Sequence, residues 1–188
     1  MKKFSFLNSA IAIFLVGIVL VGFSIFRKVE KKYFYPLEHV EIIYKHASTY
    51  KLSPTLVVSL INAESSFNSQ AISEKGAKGL MQITDSTAEY IAGKLGEEEY
   101  NIFDENTNIL FGCYYLRYLL DKFKVEETAL CAYNAGETKV REWLRNKEYS
   151  LDSERLKVIP YKETKNYIER IYKNKVKYKK LYKNILDK

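Results

Sequence analysis

The sequence predicts an all-α protein, in which one helical domain follows an apolar N-terminal segment. Apolar residues recur three and four positions apart in successive segments, and no stretch has the strict alternation of a half-buried strand. The run ILFGCYYLRYLLDKF at 109–123 is apolar on most sides, as expected of a helix at the centre of a core. With 188 residues, the chain has room for one domain of common size and a short extension.

The N-terminal segment has the length and composition of a membrane-spanning helix. Residues 4–26 are 23 consecutive uncharged positions, which as a helix would extend about 35 Å, against about 30 Å for the hydrocarbon core of a bilayer. A cleavable signal peptide is the alternative, but its apolar region is shorter and ends in small residues, whereas this run ends in Phe26 and is followed by Arg27. The sequence therefore predicts an uncleaved anchor over residues 1–32 with a single transmembrane helix.

Positive charge is concentrated at the two ends of the chain. Residues 1–35 carry +5 and residues 173–188 carry +6 of the total of +7, so the central part, 36–172, carries −4. A nucleic-acid-binding domain has a basic face, and no nucleic-acid partner is predicted here. The lysine-rich C-terminal tail, 176–188, is expected to be solvated, with anionic lipid or wall polymer as the alternative contact.

The domain predicted over 33–175 divides into helices at capping and turn signals. Two helices come first, over about 37–50 and 54–66, the second with Ser53 as its N-cap and Pro54 as its first residue. A loop rich in small residues follows. Further helices are predicted through 88–95, 109–123, 126–134 and 140–144, and a last one from Pro160.

The sequence predicts no metal site and no other cofactor. His39 and His46 lie seven apart on one predicted helix, with no third ligand nearby. Asp104 begins a D-x-N-x-N pattern like that of a calcium loop, but Ile109 and Tyr115 occupy the positions that need glycine and glutamate. Asp104 is predicted to be a helix N-cap instead.

The two cysteines, Cys113 and Cys131, both fall in apolar helical stretches. Two thiols do not make a disulfide framework. Buried free thiols are expected, with a single bridge as the alternative.

Glu64 is the residue from which the functional prediction starts. It lies three, four and seven positions after Ile61, Leu60 and Val57, and therefore shares the apolar face of its helix. A carboxylate there is unfavourable unless it is neutralised, hydrogen-bonded or used in chemistry. Burial raises the pKa of such an acid, which can then donate a proton to a glycosidic oxygen near neutral pH. From spacing alone, a capped or salt-bridged structural acid is equally favoured.

Three short motifs resemble the signature motifs of lytic transglycosylases of the soluble-transglycosylase (SLT) type. They are ESSFN at 64–68, GAKGLMQI at 76–83 and AYNAG at 132–136, and their order and spacing fit that family. Two weaker matches, at 108–116 and 159–167, extend the resemblance over roughly residues 38–175. One motif alone is a weak signal, but five in order are not expected by chance.

The resemblance implies a lysozyme-like α-helical domain with a glycan groove between its helices. Glu64 matches the family's catalytic acid and base, and Ser65 matches the serine beside it that helps to position substrate. Taken singly, Gln82 could equally be a loop amide bonded to backbone, and Tyr133 a core tyrosine. The resemblance places five further residues in the groove or beside the catalytic centre: Met81, Gln82, Tyr133, Asn134 and Glu163.

The activity implied by the resemblance is non-hydrolytic cleavage of the β-1,4 bond between N-acetylmuramic acid and N-acetylglucosamine in peptidoglycan. Glu64 would protonate the bridging oxygen while the 2-acetamido group of the sugar shields C1. The Glu64 carboxylate would then take the proton of the C6 hydroxyl as a 1,6-anhydro ring closes, so one acid could suffice. A hydrolytic muramidase and a non-catalytic glycan-binding scaffold are the alternatives, and an intact Glu64 disfavours the scaffold.

Peptidoglycan as the substrate implies a domain on the extracytoplasmic, wall side of the cell membrane. The excess of lysine and arginine after the predicted span favours a cytoplasmic domain instead. The implied substrate is given more weight, and the wall side is predicted. The chain departs from the family pattern at Glu137, where many relatives have a second glycine, so this edge of the groove is expected to differ.

Overall fold

The computed structural model describes the backbone of residues 2–186 and the side chains of residues 14–186. No strand forms in this part of the chain, which has three isolated bridges in its loops. The prediction of an all-α protein is confirmed. The elements are α1 (Lys2–Val29), a π-helical turn (Glu30–Phe34), α2 (Val40–Thr49), α3 (Pro54–Ser65), α4 (Asp85–Leu95), α5 (Glu105–Phe123), α6 (Glu126–Ala135), α7 (Glu137–Arg145) and α8 (Lys162–Leu186).

Side-chain caps set the starts of two helices that border the site. The backbone N–H of Thr87 donates a hydrogen bond of 3.4 Å to Thr84 at the start of α4, and the N–H of Thr107 donates one of 2.8 Å to Asp104 at the start of α5. Each bond satisfies an N–H that has no partner within its helix. Asp104 is therefore an N-cap, as predicted. Ser53 precedes α3 without a side-chain cap.

Helix α3 is the most deeply buried helix around the site. All residues from 55 to 61 are buried, and α3 packs against α8. The Asn174 side chain on α8 donates hydrogen bonds to Ser59 O (3.2 Å) and Asn62 Oδ1 (2.9 Å), which fixes the register between the two helices. Helix α5 is buried or half-buried along nearly its whole length, as expected: only Asp121 and Lys122 are exposed, and Asp121 pairs with Arg117 near the surface.

The first 36 residues form a compact unit of their own, and the domain forms a second unit from Leu37 onward. Among the described residues, no helix is long and apolar enough to cross a membrane. The transmembrane helix predicted over 4–26 is therefore not supported. Positions 4–13 of that segment lie outside the residues whose side chains are described, and 14–26 alone would extend only about 20 Å as a helix.

The tail predicted over 176–188 continues α8 as far as Leu186 and is solvated on one side only. Tyr178, Leu181 and Leu186 are buried, whereas Lys179 and Lys183 face solvent. A non-helical residue, Tyr182, interrupts the helix between these positions. Aromatic and aliphatic residues between the lysines thus attach the tail to the domain.

The two cysteines are free and buried, as expected, one on α5 and one on α6. Burial raises the pKa of the Cys131 thiol to about 12. The His46 ring shares a hydrogen bond of 2.9 Å with Asn106 Oδ1 and so ties α2 to the start of α5.

Candidate active site

Glu64 lies in the last turn of α3, and a tyrosine of α8 holds its carboxyl group. The Tyr167 hydroxyl donates a hydrogen bond of 2.5 Å to Glu64 Oε1. Since Tyr167 is fully buried, the packing of α3 against α8 fixes this contact. Glu64 also lines an open cavity of about 490 Å³. The acid is therefore anchored on one side and accessible on the other.

The environment of Glu64 raises the pKa of its carboxyl group toward neutral pH. Burial raises the pKa of the carboxyl group from 4.5 to about 7. The hydrogen bond from Tyr167 and the positive charge of Arg170 oppose this rise, because both stabilise the ionised form. A group with such a pKa exists in both protonation states near neutrality and can serve as acid and as base.

Ser65 connects the end of α3 to the loop that precedes α4. Its hydroxyl lies 3.2 Å from Ile61 O and 2.9 Å from Leu80 O, in hydrogen-bonding contact with both. Ser65 is not among the residues that line the cavities at Glu64. Because its hydroxyl faces the backbone, the structure places Ser65 as a positioning residue for the loop, where the resemblance implies help in positioning substrate.

The loop is fixed by an asparagine from α5. Asn108 Oδ1 accepts a hydrogen bond of 2.7 Å from the N–H of Met81, and Asn108 Nδ2 donates to Lys78 O at 3.0 Å and to Ile102 O at 2.8 Å. Gly79, at φ +76°, lies so close that a Cβ there would be 2.2 Å from Asn108 Nδ2. A glycine is thus required both by the backbone conformation and by the approach of Asn108.

The Met81 side chain does not line the cavity, contrary to its predicted place in the groove. It is fully buried and packs on Gly112 of α5, where an added Cβ would be 2.2 Å from the Met81 sulfur. The apolar thioether fills the space that Gly112 leaves open. Met81 contributes to the site through its backbone instead, because its carbonyl oxygen accepts a hydrogen bond of 2.8 Å from the Tyr133 hydroxyl.

Gln82 and Tyr133 lie together on the cavity surface. Gln82 has a left-handed backbone, at φ +51°, and its Nε2 donates to Gly79 O at 3.0 Å and to Ala71 O at 3.2 Å. Both residues line the cavity that Glu64 lines. Burial, and then the negative charge of Glu64, raises the pKa of Tyr133, so its phenol stays protonated.

Asn134 and Glu163 border the same cavity on its other side. Asn134 Oδ1 accepts a hydrogen bond of 2.8 Å from the Thr164 hydroxyl, which links α6 to the start of α8. Glu163 is largely exposed and forms an ion pair of 3.4 Å with Lys75 of the loop. Its carboxylate is therefore an ion-paired group at the rim, whereas Glu64 is held by Tyr167 inside the cavity.

A second cavity of about 330 Å³ continues the first toward α4 and α5. Thr87 and Tyr115 line this continuation. The two cavities form one groove, because six residues line both: Lys75, Gln82, Thr84, Tyr133, Asn134 and Glu163.

The structure adds residues that the sequence analysis gave no role. Tyr167 holds Glu64, Arg170 lowers its pKa, and Lys75 pairs with Glu163 across the groove. Tyr167 lies in the weak match at 159–167, so a signal for it existed. Lys75 and Arg170 carry no comparable signal, because each is one of many basic residues in the chain.

Comparisons with known proteins agree with this geometry. A family model described as "Transglycosylase SLT domain" matches residues 41–156. The soluble lytic murein transglycosylase of Escherichia coli (strain K12) is 30% identical over 143 residues, which are 73% of this chain and 22% of that protein. The transglycosylase of Enterobacteria phage PRD1 is 35% identical over 113 residues, which are 60% of this chain and 40% of that protein.

Solved structures show the same similarity. The crystal structure of the 70 kDa soluble lytic transglycosylase from Escherichia coli has a TM-score of 0.68 and 28% identity, and the match covers 78% of this chain and 25% of that one. The lysozyme-like SLT fold implied by the motifs is confirmed. The chain spans about a fifth of the length of the Escherichia coli relative.

Proposed function

Because this chain belongs to the transglycosylase SLT domain family, we propose that it is a lytic transglycosylase that cleaves peptidoglycan glycan strands. The observation that carries the proposal is Glu64, an acid with a pKa of about 7 that lines an open groove. A glycan strand is a long polar chain, and an open groove can accept it from the side. No resident cofactor is needed for this chemistry.

In the first step, Glu64 donates its proton to the oxygen of the bond between N-acetylmuramic acid and N-acetylglucosamine. The bond from C1 of the muramoyl sugar to this oxygen breaks, and N-acetylglucosamine leaves with the proton on its 4-hydroxyl. The 2-acetamido oxygen of the muramoyl sugar attacks C1 and stabilises the positive charge that develops there. This substrate-assisted route needs no carboxylate nucleophile from the protein. This route agrees with the groove, because the other two acids that line the cavity, Glu74 and Glu163, are exposed at its rim, and Glu163 pairs with Lys75.

In the second step, the Glu64 carboxylate accepts the proton of the C6 hydroxyl, and the C6 oxygen attacks C1, which breaks the bond from C1 to the acetamido oxygen, restores the acetamido group and closes a 1,6-anhydro ring. The Tyr167 hydroxyl stabilises the carboxylate between the two steps through its hydrogen bond to Oε1. Gln82, Tyr133 and Asn134 contact the sugars from the groove wall. Ser65 and Met81 do not contact the sugars themselves. They act indirectly, because they hold the loop that carries Gln82.

Digestion of purified peptidoglycan, with mass spectrometry of the new chain ends, tests the reaction. We expect 1,6-anhydro ends from the parent chain and no products from Glu64→Gln. Reducing N-acetylmuramic acid ends would identify a hydrolytic muramidase on the same fold. Binding without any products from the parent would identify a glycan-binding scaffold and overturn the proposal.

The substrate also sets the location, because peptidoglycan lies outside the cytoplasm. We infer that the domain acts on the wall side of the cell membrane. A reporter enzyme that is active only outside the cytoplasm, fused after Lys188, is expected to be active. Activity of a strictly cytoplasmic reporter at the same position would contradict this location.

A further inference from the structure

The solvent-exposed face of α8 is strongly basic, and the proposed reaction does not use this charge. Exposed residues recur three and four positions apart along the helix, at 162, 166, 169, 173, 176, 180 and 183, so they form one continuous face. Six exposed cationic side chains on this face and its edges form the basic stripe: Lys162, Lys165, Arg170, Lys173, Lys180 and Lys183. From position 162 to position 180, the stripe is about 27 Å long.

The charges of the basic stripe are not neutralised by the domain. Within the part of the chain that the structure describes, none of its six cations forms an ion pair. The exposed residues from 162 to 183 include two acids, Glu163 and Glu169, and Glu163 already pairs with Lys75. Cations three positions apart on a helix, such as Arg170 and Lys173, repel one another. An anionic partner relieves this repulsion.

The buried side of α8 restricts the kind of partner that the basic stripe can bind. Tyr167, Ile171, Tyr178 and Leu181 are buried in the domain, so the helix cannot turn its apolar side toward a lipid bilayer. Among the exposed residues from 162 to 183, Val176 is the one large apolar residue, and none is aromatic. The stripe therefore has no exposed ring on which a nucleic-acid base could stack. Its chemistry suits a purely electrostatic contact along a line.

We propose that the basic stripe is a docking surface for a linear anionic polymer of the cell wall that carries phosphodiester groups along its chain. Lysine ammonium groups bind phosphate as point charges, and their order along one helix matches the linear form of such a polymer. The stripe begins beside the groove, because Glu163 and Thr164, which follow Lys162, line it. A polymer on the stripe thus holds the domain at the wall while the groove takes a glycan strand. The location at the wall rests on the proposed function.

Binding of fluorescently labelled poly(glycerol phosphate) to the full chain, followed by anisotropy at several salt concentrations, tests the docking surface. The triple variant Lys165→Gln, Lys173→Gln and Lys180→Gln removes three exposed charges from the stripe. We expect the affinity to fall at least about tenfold at about 0.1 M salt. The slope of the logarithm of the affinity against the logarithm of the salt concentration should become shallower by about two, because three fewer phosphates are contacted.

The matched control is a second triple variant, Lys45→Gln, Lys51→Gln and Lys147→Gln, which changes the net charge equally at exposed positions outside α8. It should retain the affinity and the salt slope of the parent. Equal losses in the two triple variants would overturn the proposal, as would a parent that does not bind the polymer. Tighter binding of the parent to phosphatidylglycerol vesicles or to single-stranded DNA than to the polymer would also overturn it.

Digestion of peptidoglycan from which phosphodiester polymers have been removed separates the docking surface from the proposed function. The variant at Lys165, Lys173 and Lys180 should digest this material as the parent does, because none of the three lysines lines the groove. If the parent digests it but does not bind poly(glycerol phosphate), the docking surface is overturned and the proposed function stands. If the parent binds the polymer but releases no product, the proposed function is overturned and the docking surface stands.

Discussion

At the scale of single residues, opposing influences on Glu64 set its proton affinity. Burial at the end of α3 favours the neutral acid, whereas the Tyr167 hydroxyl and the Arg170 charge favour the carboxylate. The result is a pKa of about 7. With a higher pKa, little of Glu64 would be the ionised form that acts as base at neutral pH. With a lower pKa, little of it would be the protonated form that acts as acid. One residue can therefore perform both proton transfers.

Glu64→Gln is expected to stabilise the fold at alkaline pH while it abolishes activity. The pKa of Glu64 is raised in the folded chain, so the free energy of unfolding of the parent falls as pH rises from about 4.5 to about 7. Above pH 7, the shift lowers the free energy of unfolding of the parent by about 3 kcal/mol. Glutamine does not ionise, so the variant does not lose this stability. Urea unfolding should show a more stable variant at about pH 8 and little difference at about pH 4. An equal effect at both pH values would contradict the raised pKa.

Tyr167→Phe is expected to raise the pKa of Glu64 further, because it removes a hydrogen bond that favours the carboxylate. The alkaline limb of the pH profile of kcat/KM, which reports loss of the protonated acid, should therefore move to higher pH. We expect kcat to fall about tenfold, since the carboxylate loses its fixed position. Tyr172→Phe, on the same helix, should change neither quantity. An alkaline limb that stays in place in Tyr167→Phe would exclude this role.

At the scale of elements, the loop between α3 and α4 shapes the groove through its backbone. Ser65 holds it at Leu80, and Asn108 holds it at Met81, so Gln82 is presented to the groove by contacts from two helices. The left-handed conformation of Gln82 shows how tightly the chain is held there. The three motifs that carry the family resemblance meet at this loop.

Gly79→Ala is expected to destabilise the domain by about 2–4 kcal/mol and to reduce activity at least tenfold. The new Cβ would both occupy a left-handed backbone position and displace the Asn108 side chain that holds Met81. Gly76→Ala is the matched control, because its φ of +78° is nearly the same but nothing lies within 4 Å of its Cβ. It should cost only about 1–2 kcal/mol. Thermal melts and peptidoglycan digestion distinguish the two, and equal losses would disprove the role of the Asn108 contact.

At the scale of the whole molecule, α8 both carries residues of the groove and packs against α3 in the domain. Its first turn carries Glu163 and Thr164 at the groove, its next turns carry Tyr167 at Glu64, and Asn174 registers it against α3. Beyond these residues, the helix continues into the part predicted to be a separate tail. Displacement of α8 would therefore remove Tyr167, the hydrogen-bond partner of the proposed catalytic acid Glu64.

A chain ending at Lys175 is expected to be less stable by at least about 3 kcal/mol, because it loses the buried side chains of Tyr178, Leu181 and Leu186. It also loses the hydrogen bond from the Tyr44 hydroxyl to Ile185 O. Thermal unfolding followed by circular dichroism measures the loss. Val176→Ala, at a position 69% exposed, should be neutral. A truncated chain as stable as the parent would support the predicted domain boundary at 175.

The sequence by itself determined the all-helical fold and the family, and it singled out Glu64 as the proposed catalytic acid, because helical periodicity and local motifs lie in short stretches of chain. It also identified Gln82 and Tyr133, which the fold brings to the same groove as Glu64. Only the tertiary structure decided which motif residues face the groove. Ser65 and Met81 turn away because their neighbours in space, at Leu80 and Gly112, offer a hydrogen bond and an apolar space. Tyr167 meets Glu64 across 103 positions of sequence, a contact that depends on the packing of α3 against α8.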